Sequence, residues 1–201
     1  MLISFEGIDG CGKSTQIVLL KNYFESNNTR CFLFREPGGT EISEDIRSLL
    51  LHGSDTMDSV TELLLFSAAR AQLIKQKVIP LLENNEIVIL DRFYDSTTAY
   101  QGYGRDFHDL KAIHHLNLIA SHSTVPDITF YLKINPELAQ ERTSTFSKDR
   151  MENAGVEFFR LVSKGYDELA KNENRFIVID ASKEIDSIHS TIIKHLESRL
   201  V

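Results

Sequence analysis

Gly7-Ile8-Asp9-Gly10-Cys11-Gly12-Lys13-Ser14 spells G-x-x-x-x-G-K-S between a short apolar run and a helical pattern. Glycines at these positions let the backbone enter φ/ψ regions closed to other residues. Successive N–H groups can then aim at one cluster of phosphate oxygens. A helix starting near Lys13 adds the positive end of its dipole. The Lys13 ammonium reaches the outer phosphates of such a group, and the Ser14 hydroxyl is placed for Mg²⁺.

A second concentration of chemistry follows Ile87-Val88-Ile89-Leu90, where Asp91 and Arg92 come next. Four apolar residues and then an acid carry a carboxylate to the carboxyl edge of a sheet, beside the phosphate loop, where such sheets bind ligands. Asp91 can hold Mg²⁺ directly or through water, and the planar fork of Arg92 can bridge phosphates. Arg35-Glu36-Pro37-Gly38-Gly39-Thr40 sets a turn and two charged residues at another strand end. Phe66 and Arg70 share one helical face. An aromatic ring there can stack on a base while the arginine takes a phosphate. Cys11, inside the loop, reads as a small residue that fits the turn.

Positioning these groups requires a particular set of elements. Five apolar runs, Leu2–Phe5, Cys31–Phe34, Ile87–Leu90, Ile128–Ile134 and Phe176–Ile179, are mostly continuous rather than alternating. That is the pattern of parallel strands covered on both faces. Helical spacing separates them: Ile17, Leu20 and Phe24, then Ile42, Ile46, Leu49 and Leu50, then a long stretch from Val60 to Leu82 that Pro80 is expected to interrupt. Leu110–Ala120, Pro136–Arg142, Met151–Ala170 and Ile185–Leu200 follow. The alternation predicts a doubly wound α/β sheet. Residues 1–201 show no linker or repeat and are expected to form one domain, with the polar stretch 143–150 as a lid.

Bulk properties agree. The chain has 201 residues, 42% hydrophobic and 25% charged, with a net charge of −7, and a pI near 5.5. An acidic chain without a basic face is not expected to bind nucleic acid. No apolar run approaches the ~20 residues that span a bilayer, so no membrane partner is expected. No leader pattern precedes the first strand, and the two cysteines, Cys11 and Cys31, show no metal or disulfide spacing. The expectation is a cytoplasmic protein.

Taken together, the phosphate loop, R-E-P-G-G-T at 35–40, F-x-x-x-R at 66–70 and D-R-F-Y-D-S-T-T-A-Y-Q-G at 91–102 resemble the thymidylate kinase family. The resemblance runs from residue 3 to about residue 180, including Asp149-Arg150-Met151-Glu152 and Ile179-Asp180-Ala181-Ser182. It implies a P-loop NTPase fold with a five-stranded parallel sheet. It also implies transfer of the γ-phosphoryl group of ATP to dTMP with Mg²⁺, giving dTDP for dTTP synthesis, usually in a homodimer.

Carried over to matching positions, the resemblance places ATP on Gly7, Ile8, Asp9, Gly10, Cys11, Gly12, Lys13, Ser14 and Thr15, with Ser14 and Asp91 toward the metal. Asp9 would sit near the 3′-hydroxyl of the acceptor and the metal. Glu36 and Pro37 would border the dTMP pocket, Phe66 would stack on thymine and Arg70 would hold its base or phosphate. Arg92 would contact the acceptor phosphate. Thr97, Tyr100 and Gln101 would line the base and sugar side, with Tyr100 where a 2′-hydroxyl would go.

Some members carry a catalytic cation inside the loop, but Ile8, Asp9, Gly10 and Cys11 are not basic. The pattern is bacterial in type, with the cation supplied by the lid. This lid is poor in arginine: Arg142 and Arg150 are the candidates, with Lys148 secondary. The expected catalytic set is thus Asp9, Lys13, Arg92, Arg142 and Arg150. A deoxynucleoside kinase is the rival enzyme, with Glu6 as a base. A GTPase-type switch would need N-K-x-D and a D-x-x-G after the third strand, and Asp91 is followed by Arg-Phe-Tyr.

Overall fold

Five strands form an all-parallel sheet in the computed structural model, which describes residues 1–53, 56–105, 107, 109–144, 150–151 and 154–200. They are β1 (Leu2–Glu6), β2 (Cys31–Arg35), β3 (Ile87–Asp91), β4 (Ile128–Lys133) and β5 (Phe176–Asp180), in the order β2-β3-β1-β4-β5. The helices are α1 (Lys13–Ser26), α2 (Glu41–His52), α3 (Ser59–Leu73), α4 (Ile79–Glu83), α5 (Tyr94–Thr97), α6 (Leu110–Ala120), α7 (Pro136–Arg142), α8 (Gly155–Asn172) and α9 (Ile185–Leu200). Two π-helical stretches, Ile74–Val78 and Thr98–Gly104, extend α3 and α5. Among the described residues no helix is long and apolar enough to cross a membrane.

The continuous apolar runs are explained by burial on both faces. Ile3, Phe5, Ile89 and Phe130 pack with Ile17, Leu20 and Phe24 of α1 and with residues of α8 and α9. Leu2, Val88 and Leu90 point the other way, onto Leu73, Ile74, Val78 and Phe93. Four strands run one residue further than the apolar pattern suggests, which puts Glu6, Arg35, Asp91 and Asp180 at the carboxyl edge. The chain builds the β2–β3 side of β1 first and then crosses to β4 and β5. The carboxyl ends beside β1 are therefore where a ligand crevice opens.

Two expectations need correction. Pro80 does not interrupt the helix after α3. The segment widens to π-helical spacing over Ile74–Val78, and Pro80 then occupies the first turn of α4, where its missing N–H matters little. The helix expected from Met151 starts instead at Gly155, whose φ of +84° stops it from extending back.

Candidate active site

The phosphate loop leaves β1 at Glu6 and enters α1 at Lys13. Gly7 has φ +138°, and a Cβ there would lie 2.7 Å from the Leu132 carbonyl oxygen; at Gly10, with φ +83°, it would lie 2.4 Å from the Ala139 oxygen. No side chain larger than hydrogen fits either place. α1 starts from Gly12 without a side-chain cap and with no acid in its first turn. Its first N–H groups and dipole are thus left for an anion. Lys13 is buried and folds across its own loop, donating to the carbonyls of Gly7 at 3.0 Å and Ile8 at 3.3 Å. Cys11 is buried against it, with Sγ 3.7 Å from the ammonium.

Arg92 joins this loop to the rest of the site. Its backbone sits at φ +70°, unusual for an arginine and costing on the order of 1 kcal/mol. That conformation turns Nη1 to the Gly7 carbonyl at 2.8 Å and Nη2 to Asp9 at 2.6 Å. Asp9 also accepts from the Tyr100 hydroxyl at 3.4 Å and lies 3.9 Å from Lys13. Burial alone would push the Asp9 carboxyl up, but Arg92 and Lys13 outweigh it and hold Asp9 below the usual carboxylate range.

Beside this junction lies a cavity whose lining includes Asp9, Glu36, Pro37, Phe66, Arg70, Arg92, Thr97, Tyr100 and Gln101, with Arg47, Leu51, Phe93, Ser96 and Met151 completing it. The first nine are the residues expected around an acceptor nucleotide, brought together from the loop, the β2–α2 turn, α3 and the segment after β3. Arg70 is 2 % exposed and fixed on four sides. Nε donates to Glu36 at 2.7 Å, Nη2 to Thr97 at 2.9 Å and the Phe93 carbonyl at 3.3 Å, and Nη1 to Asn117 at 3.4 Å. Of five guanidinium N–H groups, one on Nη1 is left. Glu36 keeps Oε1 buried and without a protein partner; burial pushes its carboxyl up, and Arg70 offsets part of that.

The Mg²⁺ candidates sit at the loop. Ser14 is exposed in the first turn of α1, and Asp91 ends β3 in register with Phe5 of β1. Both offer hard oxygen donors, and among the described residues no cluster of three His, Cys, Asp or Glu could hold an ion alone. That donor set suits Mg²⁺, which is held by one or two carboxylates together with substrate phosphates.

Other sites stand apart from this centre. Arg142 is exposed at the end of α7 and donates to the Ala181 carbonyl at 3.0 Å. Arg150 is engaged with Glu62 at 2.6 Å and with the Leu50 carbonyl at 2.9 Å. Most of the expected lid, 145–149 with Lys148, lies outside the described residues. Arg35 turns away to Glu44 at 3.0 Å rather than to the cavity. Glu6 is enclosed, bound by the Phe93 N–H at 2.7 Å, Ser96 at 2.6 Å and Tyr166 at 2.8 Å. Burial and the nearby Asp95 push its carboxyl up to about 7. It buttresses Ser96 and Tyr166 beneath Arg92 and does not border the cavity.

The sequence reading missed Arg47, which lines the cavity from α2 and donates to the Pro37 carbonyl at 2.9 Å. No motif marks it; only the fold of the Pro-Gly-Gly turn against α2 brings it there. A larger groove of about 850 Å³ runs along α7, α8 and β5. Its charged residues, among them Lys133 paired to Asp167, face solvent, and it holds none of the candidate site residues, although Asp180 and Ser182 of the last matching segment line it.

Comparison with known proteins gives the family. The family model described as Thymidylate kinase matches residues 5–192. The thymidylate kinase of Chlorobaculum tepidum is 48% identical, covering 98% of this chain and 97% of its own. That of Prosthecochloris aestuarii is 46% identical over 99% and 94% of the two chains. A more distant relative, the thymidylate kinase of Caldanaerobacter subterraneus subsp. tengcongensis, is 42% identical over 98% and 95%. With a phosphate loop and an adjoining arginine-rich cavity on a five-stranded parallel sheet, and with matches along nearly its whole length, the chain belongs to the thymidylate kinase family.

Proposed function

We propose that the phosphate loop takes the triphosphate of ATP with Mg²⁺ and the cavity takes dTMP, so that the γ-phosphoryl group passes across the Asp9–Arg92 junction. As a member of the thymidylate kinase family, this chain phosphorylates dTMP to dTDP. One observation carries the assignment of roles: Asp9 and Arg92 belong to both halves of the site, each lining the cavity while one is part of the loop and the other grips its Gly7 carbonyl.

An ionised oxygen of the dTMP phosphate attacks the γ-phosphorus. The new P–O bond forms as the bond to the β,γ-bridging oxygen breaks, and ADP leaves with that electron pair. No general base is needed, so Glu6 has no proton to take, and its enclosure fits that. What remains is positioning and charge neutralisation. Lys13 and the α1 N–H groups meet the donor phosphates, and Arg92 meets the acceptor phosphate. Bound Mg²⁺ would supply further neutralisation of the donor phosphates. Ser14 and Asp91 would hold it. A further cation comes from Arg142 or Arg150. Arg142 suits the role better, because Glu62 already neutralises Arg150.

Phe66 stacks on the base, and Tyr100 stands against a 2′-hydroxyl. Tyr100 is packed edge-on by Phe158 and Tyr166, so it cannot swing aside freely. Product analysis tests the reading. ATP and dTMP should give ADP and dTDP one for one, and ADP formation without dTDP would refute it. Pairing into a homodimer is supported by α2, α3 and α6, which pack side by side and expose Leu49, Leu64 and Ile119. Light scattering should then give about twice the 22.9 kDa chain mass; a single-chain mass would exclude the pairing.

A further inference from the structure

Glu62 stands on α3 with its carboxylate 1 % exposed, outside the lining of the cavity. Three groups converge on it. Gln101 donates through Nε2 at 3.0 Å, Arg105 through Nε and Nη2 at 3.2 Å each, and Arg150 Nη2 lies at 2.6 Å. Burial would push this carboxyl up, but hydrogen bonds from Arg105, Gln101 and Arg150 and the charge of Arg105 outweigh it and hold Glu62 below the usual carboxylate range. An ionised carboxylate can only accept.

That fixes Gln101. An amide facing a pure acceptor must present its NH₂ group, so the orientation follows from the chemistry of its partner. The carbonyl Oε1 is then turned the other way. Gln101 lines the cavity, no described residue donates to Oε1, and that oxygen is not among the sealed, partnerless atoms. Arg70 contributes the opposite chemistry, one unspent N–H on Nη1. Gln101 and Arg70 together therefore offer one acceptor and one donor for a base edge. A 2,4-dioxopyrimidine edge, C4=O beside N3–H, is complementary to that pair. A 4-aminopyrimidine edge presents the reverse.

We propose that Glu62 is a positioning residue that locks the Gln101 amide with its carbonyl toward the cavity, and thereby sets the preference for a thymine-type edge over a cytosine-type edge. The inference rests on the reading that the cavity takes dTMP. With a neutral amide in place of the carboxylate, position 62 could donate or accept, and Gln101 could turn over.

The test compares dTMP, dUMP and dCMP in wild type and Glu62→Gln, reading KM, or the Ki against dTMP for a nucleotide that is not turned over. dTMP and dUMP, which share the edge, should both weaken by at least about tenfold, as expected for one misplaced hydrogen bond in a desolvated site. dCMP should not weaken, so the dCMP/dTMP ratio contracts by the same factor, while the ATP KM moves less than about threefold. Equal weakening of all three nucleotides, with a lowered Tm, would mean that Glu62 only supports the fold and would overturn the inference. Should Glu62→Gln not fold, Glu62→Asp keeps a charge for the two arginines but withdraws from Gln101. It should contract the ratio in the same direction, and an unchanged ratio overturns the proposal. Wild-type protein that forms no dTDP would instead defeat the reading of the cavity itself.

Discussion

Lys13→Ala is expected to lower kcat by about 10²–10³, the loss found when one preorganised electrostatic donor, worth ~3–4 kcal/mol, is removed from a site that stabilises developing charge. The ammonium is buried in the loop and held by two backbone carbonyls, so its position is set before any nucleotide arrives. Little reorganisation is then needed at the moment of transfer. The dTMP KM should change little, because Lys13 does not line the acceptor cavity. Steady-state kinetics at saturating ATP and dTMP check this. A kcat within threefold of wild type would show that the lysine only shapes the loop.

Arg70→Ala should raise the dTMP KM by about 10–100-fold and the ATP KM by much less, since one charge-assisted hydrogen bond of ~1.5–3 kcal/mol is lost to one substrate only. The substitution also leaves Glu36 buried without its partner, at 2.7 Å in the wild type. Breaking a buried pair can cost ~3–5 kcal/mol of stability. Here the cost is reduced because burial already favours the protonated form of Glu36. The diagnostic is therefore the split between the two KM values, with Tm measured alongside. Arg70→Lys should recover part of the stability but not the dTMP KM, because an ammonium lacks the fork that meets Glu36 and Thr97 together. Equal increases in both KM values would place Arg70 outside the acceptor site.

Local chemistry was readable wherever one segment carries it. The phosphate loop needs only its own glycines, lysine and following helix, so its spacing reveals it. The strands show because burial on both faces leaves uninterrupted apolar runs. Tyr94–Gly104 escaped because its second part coils at π-helical spacing, which departs from the 3.6-residue period that sequence patterns reveal. Glu6 looked like a potential base from its place before the loop. Only the convergence of Phe93, Ser96 and Tyr166 shows that its carboxylate is already committed. The Glu62–Arg105–Arg150 cluster joins residues far apart in the chain, Arg47 is brought in by the turn at Pro37, and nothing in their neighbours' types announces either meeting.

The choice of acceptor tests the account most directly. The purified protein would be given ATP, Mg²⁺ and equal amounts of thymidine and dTMP in one reaction, with both products resolved by chromatography. Arg92 stands at the junction of cavity and loop, placed for an acceptor phosphate, and Glu6 is too enclosed to deprotonate a hydroxyl. dTDP should therefore accumulate while thymidine is left untouched. Conversion of thymidine to dTMP, with the added dTMP left unphosphorylated, would contradict the account and make the protein a nucleoside kinase.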